Sequence, residues 1–155
     1  MKTKLPATTI FSSSEIQLHY KRPLYNSMKH ICSAESAQEI IREFADPNRI
    51  DLKEFFWVLL LSNSNRLLGI SETASGSTRG VVINIKEILQ LALKTNASAL
   101  IISHVHPSGN LNISSSDKRL TEKLKQVTDI MEITLLDHII ITSEGFVSFV
   151  QEGLL

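Results

Sequence analysis

The pattern of apolar positions along the chain predicts a sheet whose inner strands are covered on both faces. Two runs are almost uninterrupted by polar residues: "LKEFFWVLLLS" at residues 52–62, which is apolar on both faces after Glu54, and "ALIISHV" at residues 99–105. A short continuous run of this kind is typical of a strand that is buried on both sides. Turn residues separate the first run from "RLLGISE" at 66–72, which predicts a hairpin partner. Near the end of the chain, "ITLLDHIIIT" and "FVSFV" flank another turn and predict a second hairpin.

Segments between these runs have the start signals and the spacing of amphipathic helices. The start signals are Ser36 with Glu39, Asn84 with Glu87, and Ser114. Apolar residues follow each signal at helical spacing. In the last helix we expect one buried stripe, formed by Leu120, Leu124, Val127 and Met131. Strands and helices together predict an α/β domain, with a mixed β-sheet and helices packed on it.

The N-terminal region has weaker signals. Residues 1–14 are rich in Thr and Ser, and we expect them to form a mobile arm. "EIQLHYK" at 15–21 alternates apolar and polar side chains, which predicts a half-buried edge strand that Pro23 ends, with His19 exposed. We therefore divide the chain into an N-terminal arm with an edge strand at 1–34 and a domain at 35–155.

Length and composition agree with one globular domain. The chain has 155 residues, of which 43% are hydrophobic and 21% are charged, which excludes a disordered chain. No apolar run is long enough to span a membrane, and the N-terminus lacks the apolar core of a secretory signal, so we expect a cytoplasmic protein with no membrane partner. The single cysteine, Cys32, cannot form an internal disulfide, and we expect a buried or half-buried thiol.

Candidate chemistry is concentrated in "SHVHPSGNLNISSSD" at residues 103–117. His104 and His106 lie two residues apart at the end of a predicted strand, so both side chains point to the same side. Asp117 falls in the first turn of the next helix, and the intervening loop can bring its carboxylate to the same point. Two imidazoles, one carboxylate and an open fourth position are typical of a catalytic zinc site. The alternatives are exposed histidines, a Ser114 that only caps the helix, and an Asp117 that only complements the helix dipole.

The spacing of the residues in this segment is that of a known sequence motif. His104, His106, Pro107, Ser114 and Asp117 form the pattern H-x-H-P, six residues, S, two residues, D. Here the sequence resembles the JAB1/MPN/Mov34 (JAMM) metalloprotease family, and within it the bacterial RadC-like proteins. "NRLLGISETASGST", "LALKTNASALIISHVHPSG" and "LLDHIIITSEGFVSF" are also similar to the RadC-like domain, so the resemblance covers roughly residues 35–152. It implies a cytidine-deaminase-like JAB/MPN fold and a bound Zn²⁺.

The resemblance also implies a glutamate on an earlier strand, next to the water that the metal activates. Glu54, directly before the apolar strand at 55–61, matches this position best, and Glu72 at the end of the partner strand is the alternative. A structural salt bridge would explain either carboxylate without a catalytic role. Ser114 is implied as a hydrogen-bond donor to the oxyanion. His138 in "LLDHII" matches a family pattern too, but we expect it to serve packing or hydrogen bonding.

The activity implied by the resemblance is the hydrolysis of a peptide or isopeptide bond in a peptide or protein substrate. In that mechanism the metal lowers the pKa of its water, and Glu54 takes the proton and later passes it to the leaving amine. Two alternatives remain: a metal-holding binding module without turnover, and a nuclease-like factor in DNA repair or recombination. With 16 Lys and Arg against 16 Asp and Glu, the net charge gives nucleic-acid binding little support.

Overall fold

The structure, a computed structural model, describes residues 19–77 and 80–155. The predicted arm at 1–14 and the first residues of the predicted edge strand lie outside the described residues. The rest of that segment, residues 19–21, forms no strand, so the prediction is wrong there, although His19 is exposed as expected. A side chain anchors this segment instead, because the Tyr20 hydroxyl donates to the carbonyl oxygen of Leu68 at 3.2 Å. Alternation of apolar and polar residues shows which side of a segment faces the protein, but not whether its backbone pairs.

The described residues contain one mixed sheet. Its strands are β1 (Phe55–Leu61), β2 (Leu67–Ser75), β3 (Ala99–Val105), β4 (Thr134–Ile141) and β5 (Phe146–Ser148). The order across the sheet is β2-β1-β3-β4-β5. Strand β1 pairs antiparallel with both β2 and β3, β3 and β4 are parallel, and β4 is antiparallel to β5. Both predicted hairpins and both predicted buried strands are therefore confirmed.

Helix α1 (Ala34–Phe44) begins earlier than the sequence signal indicated. Its N-cap is Ser33, whose hydroxyl accepts from the Ser36 backbone N–H at 3.2 Å, so the predicted capping pair of Ser36 and Glu39 is wrong. Ser36 instead completes the capping box, because its hydroxyl oxygen accepts from the Ser33 N–H at 3.1 Å. Cys32, which precedes the cap, is exposed rather than buried, because its neighbour Ile31 takes the core position.

Helices α2 (Ile85–Lys94) and α3 (Ser115–Ile130) begin where the sequence predicted. Asn84 and Ser114 are their N-caps, and the α3 cap is a full capping box with Asp117. The buried face of α3 is shifted from the predicted stripe: Thr121, Leu124 and Thr128 are buried, while Met131 is 39% exposed. The two threonines are tolerated in the core because their hydroxyls donate to main-chain carbonyls of α3. No helix in the described part of the chain is both long and apolar enough to cross a membrane.

Alternate residues of the central strands contribute to two separate cores. In β1, the odd-numbered positions from Phe55 to Leu61 pack with α1 on one face. The even-numbered positions from Phe56 to Leu60 pack with α2 and α3 on the other face. Strand β3 is likewise buried along its whole length. A mixed sheet covered by helices on both faces confirms the predicted α/β class, and it places the end of β3 beside the start of α3.

Candidate metal centre

Strand β3 brings two histidines to its carboxyl end. His104 lies on the face packed by α2 and α3, next to Phe56 of β1 in the register, and is only 3% exposed. His106 follows the strand and is half-buried. Their Nε2 atoms are 2.9 Å apart. His106 Nδ1 lies 2.7 Å from the carbonyl oxygen of Asn110, and because a carbonyl only accepts, this contact places the proton on Nδ1 and leaves Nε2 free to bind a metal.

Asp117 comes to the same point from the first turn of α3. Its Oδ1 is 3.3 Å from His104 Nε2, and its Oδ2 is 3.8 Å from His106 Nε2. The capping box orients this carboxylate, since Ser114 donates to Oδ2 from its hydroxyl at 2.6 Å and from its backbone N–H at 2.9 Å. The helix start therefore holds one oxygen of Asp117 and leaves the other facing the histidines.

The three side chains fit a small divalent metal ion. Their ligand atoms lie within 4.8 Å of one another. Zinc bonds of roughly 2.0–2.2 Å in a tetrahedral site place ligand atoms about 3.3 Å apart. The two Nε2 atoms are 2.9 Å apart, and His104 Nε2 is 3.3 Å from Asp117 Oδ1. Two imidazoles and a carboxylate leave a fourth position open to the cavity, as in catalytic rather than structural zinc sites. The predicted cluster can therefore hold a metal.

Electrostatics also favour a cation at this cluster. Burial would raise the pKa of the Asp117 carboxyl, but the adjoining His104 imidazole and the hydrogen bonds from Ser114 outweigh burial and hold that pKa well below its usual range. The carboxylate is therefore ionised at neutral pH. An anionic oxygen beside two imidazole nitrogens is a ready binding site for a divalent cation.

Glu54 faces the same cavity from the start of β1. It lies two residues before Phe56 and therefore on the same face of the strand, and it lines a cavity of about 250 Å³ together with the three candidate ligands. Burial raises the pKa of the Glu54 carboxyl, and the nearby His104 and His106 partly offset that rise. A carboxylate with a raised pKa in such a cavity suits a general base.

Glu72, the alternative base, lies away from the cluster. Its backbone pairs with Trp57, a residue of the opposite face of the sheet, and its Oε2 accepts from Trp57 Nε1 at 3.4 Å. The Glu72 side chain is exposed. Of the two glutamates, the structure brings only Glu54 to the histidines.

Ser114 lines the cavity but is engaged as a helix cap. Its hydroxyl proton is directed to Asp117 Oδ2 at 2.6 Å, and its oxygen accepts from the Asp117 N–H at 3.1 Å. The helix-capping alternative is thus the one that the hydrogen bonds show. Its role as an oxyanion donor stays a prediction, and that role requires the hydroxyl to turn away from Asp117.

His138 serves packing and hydrogen bonding, as the sequence predicted, and one of its hydrogen bonds reaches a candidate ligand. It is fully buried in β4, and its Nε2 is 2.8 Å from His104 Nδ1. Burial, and then the charge of His104, lower the pKa of His138 well below the ordinary value. A polar residue inside the apolar run of β4 was the available signal, because a buried histidine needs hydrogen-bond partners.

The cavity continues past the cluster along the protein surface. A second depression of about 350 Å³ shares Glu54, His106 and Ser114 with the first. The apolar wall of the first depression consists of Phe56, Val81, Ile83 and Leu120. The cluster therefore lies at the junction of two adjoining depressions, with Glu54 beside it.

Comparison with known proteins shows the family of this chain. The family model of the RadC-like JAB domain matches residues 31–154. A UPF0758 protein of Flavobacterium johnsoniae is 34% identical over 152 residues, which cover 96% of this chain and 63% of that protein. UPF0758 proteins of Haemophilus ducreyi and Xylella fastidiosa are 34% and 37% identical, over 85% and 72% of this chain. The chain spans 59% and 50% of the length of those two relatives. Because the matched residues cover most of the chain and the whole candidate centre, the chain belongs to the RadC-like JAB domain family.

Proposed function

We propose that this protein is a zinc-dependent hydrolase that cleaves a peptide or isopeptide bond in a protein substrate. The observation that carries the proposal is the convergence of His104, His106 and Asp117 on one point, with Glu54 in the same cavity. Zinc suits this donor set, because imidazole and carboxylate are both among its preferred ligands. Membership of a JAB domain family supports the same class of chemistry.

The residues of the cavity divide the chemical work between them. Zinc held by His104, His106 and Asp117 would supply Lewis acidity and lower the pKa of a water. Glu54 accepts the proton from the attacking water and delivers it to the leaving amine. Ser114, at the cavity wall, stabilises negative charge on the carbonyl oxygen once its hydroxyl turns from Asp117 to the substrate.

The shape of the site supports an extended substrate. The two depressions meet at Glu54, His106 and Ser114, so a chain can continue on both sides of the bond that reacts. The apolar wall with Val81 and Ile83 suits an aliphatic side chain of that substrate. A peptide or isopeptide segment fits this arrangement better than a compact small molecule.

Replacement of Glu54 by Gln tests the proposal, and Glu72→Gln is a matched control on the opposite face. Elemental analysis should find about one zinc per chain in both variants and in the wild type. Turnover of a panel of fluorogenic peptides and isopeptide-linked peptides should be abolished by chelator. It should fall by about 10²- to 10⁴-fold in Glu54→Gln, the usual magnitude of general-base catalysis, and stay unchanged in Glu72→Gln.

Other outcomes would separate the alternative functions. If Glu54→Gln retains full turnover together with its zinc, Glu54 is not the base and the mechanism is wrong. If the wild type binds zinc but cleaves no peptide, and captures a protein partner that His104→Ala loses, the chain is a binding module. Chelator-sensitive cleavage of DNA without peptide cleavage would instead identify a nuclease.

A further inference from the structure

A line of hydrogen bonds in the core joins two of the candidate metal ligands behind the cluster. His104 Nδ1 is 2.8 Å from His138 Nε2, and His138 Nδ1 is 2.6 Å from the Thr121 hydroxyl. That hydroxyl donates to the main-chain carbonyl of Asp117 at 2.7 Å. The line therefore begins at one ligand residue and ends at another. His104, His138 and Thr121 are each no more than 3% exposed, so water does not compete for these contacts.

The Asp117 carbonyl at one end of the line determines which atom is the donor in each of its hydrogen bonds. Because the Asp117 carbonyl only accepts, the Thr121 hydroxyl proton points to it, and the Thr121 oxygen is left to accept from His138 Nδ1. A neutral His138 then has no proton on Nε2, which accepts from His104 Nδ1. A neutral His104 in turn has an unprotonated Nε2, and this is the atom that faces His106 and Asp117.

Aromatic rings hold the two imidazoles in place. Phe56 stacks on His104 with an interplanar angle of 11°, and Phe149 stacks on His138 with ring centroids 4.4 Å apart. Burial between these rings favours an uncharged His138. The rings also prevent His138 from turning to other partners, so its orientation is set by packing as well as by hydrogen bonds.

We propose that His138 and Thr121 are positioning residues for the metal, because their hydrogen bonds hold His104 in the tautomer and orientation that present Nε2 to the ion. Metal-binding histidines usually donate their second N–H to a carboxylate, a carbonyl or water. Here the acceptor is a second histidine, which is in turn oriented by Thr121. The inference rests on the proposed metal site, but not on the proposed hydrolysis.

Two threonines of α3 provide a matched test in the full-length chain. Thr121→Val removes the acceptor for His138 Nδ1, whereas Thr128→Val makes the same change at a buried threonine whose hydroxyl donates to the Lys125 carbonyl, outside this line. Zinc affinity, measured by competition with a chromophoric chelator, should fall by about 10- to 100-fold in Thr121→Val. It should be unchanged in Thr128→Val and restored by Thr121→Ser. The visible absorption of the Co²⁺-substituted protein should change only in Thr121→Val.

A measurement without metal tests the proton positions directly. In ¹⁵N-labelled, zinc-free wild-type protein, imidazole ¹⁵N shifts should show protons on His104 Nδ1 and His138 Nδ1, with His138 Nε2 unprotonated. A proton on His138 Nε2 would overturn the proposal, as would equal losses of zinc affinity in Thr121→Val and Thr128→Val. Zinc binding that depends on Thr121 without any hydrolysis would support the positioning role and reject the proposed enzyme. A wild type that binds no zinc would reject the metal site and this proposal with it.

Discussion

At the level of single residues, burial and a neighbouring metal would shift the pKa of Glu54 in opposite directions. Burial raises the pKa of its carboxyl, and the imidazoles of His104 and His106 only partly offset this. A bound cation would lower the same pKa. The free energy of unfolding of the metal-free protein should therefore include the cost of burying this carboxylate in the cavity.

The first prediction concerns the stability of metal-free Glu54→Gln. Below the pKa of Glu54 in the unfolded chain, both states hold the proton, and the carboxyl does not change the free energy of unfolding. As the pH rises through the raised folded-state pKa, the wild type loses stability, because only the folded state keeps the charge desolvated. Glu54→Gln should therefore match the wild type near pH 4 and become more stable than it by about pH 7. Urea unfolding with chelator across this range measures the difference.

Glu72→Gln, exposed and on the other face, should show no such trend. A Glu54→Gln protein that is less stable than the wild type at neutral pH would indicate that Glu54 forms a structural ion pair instead. It would remove the physical basis for treating Glu54 as a base held ready by burial.

At the level of elements, the first turn of α3 combines a structural and a functional task. Ser114 caps the helix and holds Asp117 Oδ2, while Oδ1 of Asp117 faces the histidines. Thr121, one turn later, begins the hydrogen bonds that reach His104. The α1 N-terminus has an equivalent capping box at Ser33 and Ser36, with none of these candidate ligands in it.

The second prediction uses these two caps as a pair. Ser33→Ala and Ser114→Ala should each lower the free energy of unfolding by about 1 kcal/mol, the usual value of an N-cap. Only Ser114→Ala should also weaken zinc binding, by about 10-fold or more, because it removes the hydroxyl hydrogen bond to Asp117 Oδ2. Urea unfolding and chelator competition give the two quantities.

Turnover then separates the two roles of Ser114. If its hydroxyl also stabilises the oxyanion, kcat at saturating zinc should fall by about 10²- to 10³-fold in Ser114→Ala. A kcat that stays at the wild-type value under saturating zinc would leave Ser114 as a helix cap and support for Asp117 alone.

At the level of the whole molecule, we expect the fold not to depend on the candidate metal. The two cores on opposite faces of the sheet contain large buried side chains far outside the cluster, such as Ile41, Leu59 and Leu124. The ligands themselves come from a strand end and a helix start that are stabilised by other contacts. The metal should therefore add to stability without creating the fold.

The third prediction follows for metal removal. Chelation should leave the far-UV circular dichroism spectrum at 25 °C unchanged. It should also lower the Tm by about 5–10 °C, because a ligand at 100 times its Kd stabilises the native state by about 2.7 kcal/mol. The Tm of His104→Ala should not respond to chelator. If chelation instead abolished the far-UV circular dichroism signal of the folded protein, the metal would be needed for folding, as in a structural zinc site.

The central strands and the candidate ligands could be predicted from the sequence alone. Strand β3 has the predicted bounds, and β1 at Phe55–Leu61 lies within the predicted segment 52–62, because burial on both faces leaves an almost continuous apolar signal. His104, His106 and Asp117 were recognised because local geometry brings them together: residues two apart on a strand share a side, and a capped helix start follows within a short loop.

The residues that surround those ligands could not be predicted from the sequence, because pairing between distant strands has no local signal. Strand β1 pairs Phe56 with His104 of β3 on one edge and Trp57 with Glu72 of β2 on the other, and period-two alternation along β1 then directs Glu54 and Glu72 to opposite faces of the sheet. The hydrogen bond between His104 and His138 joins residues 34 positions apart on parallel strands. Their meeting depends on how α3 crosses over between β3 and β4, which spacing along the chain does not reveal.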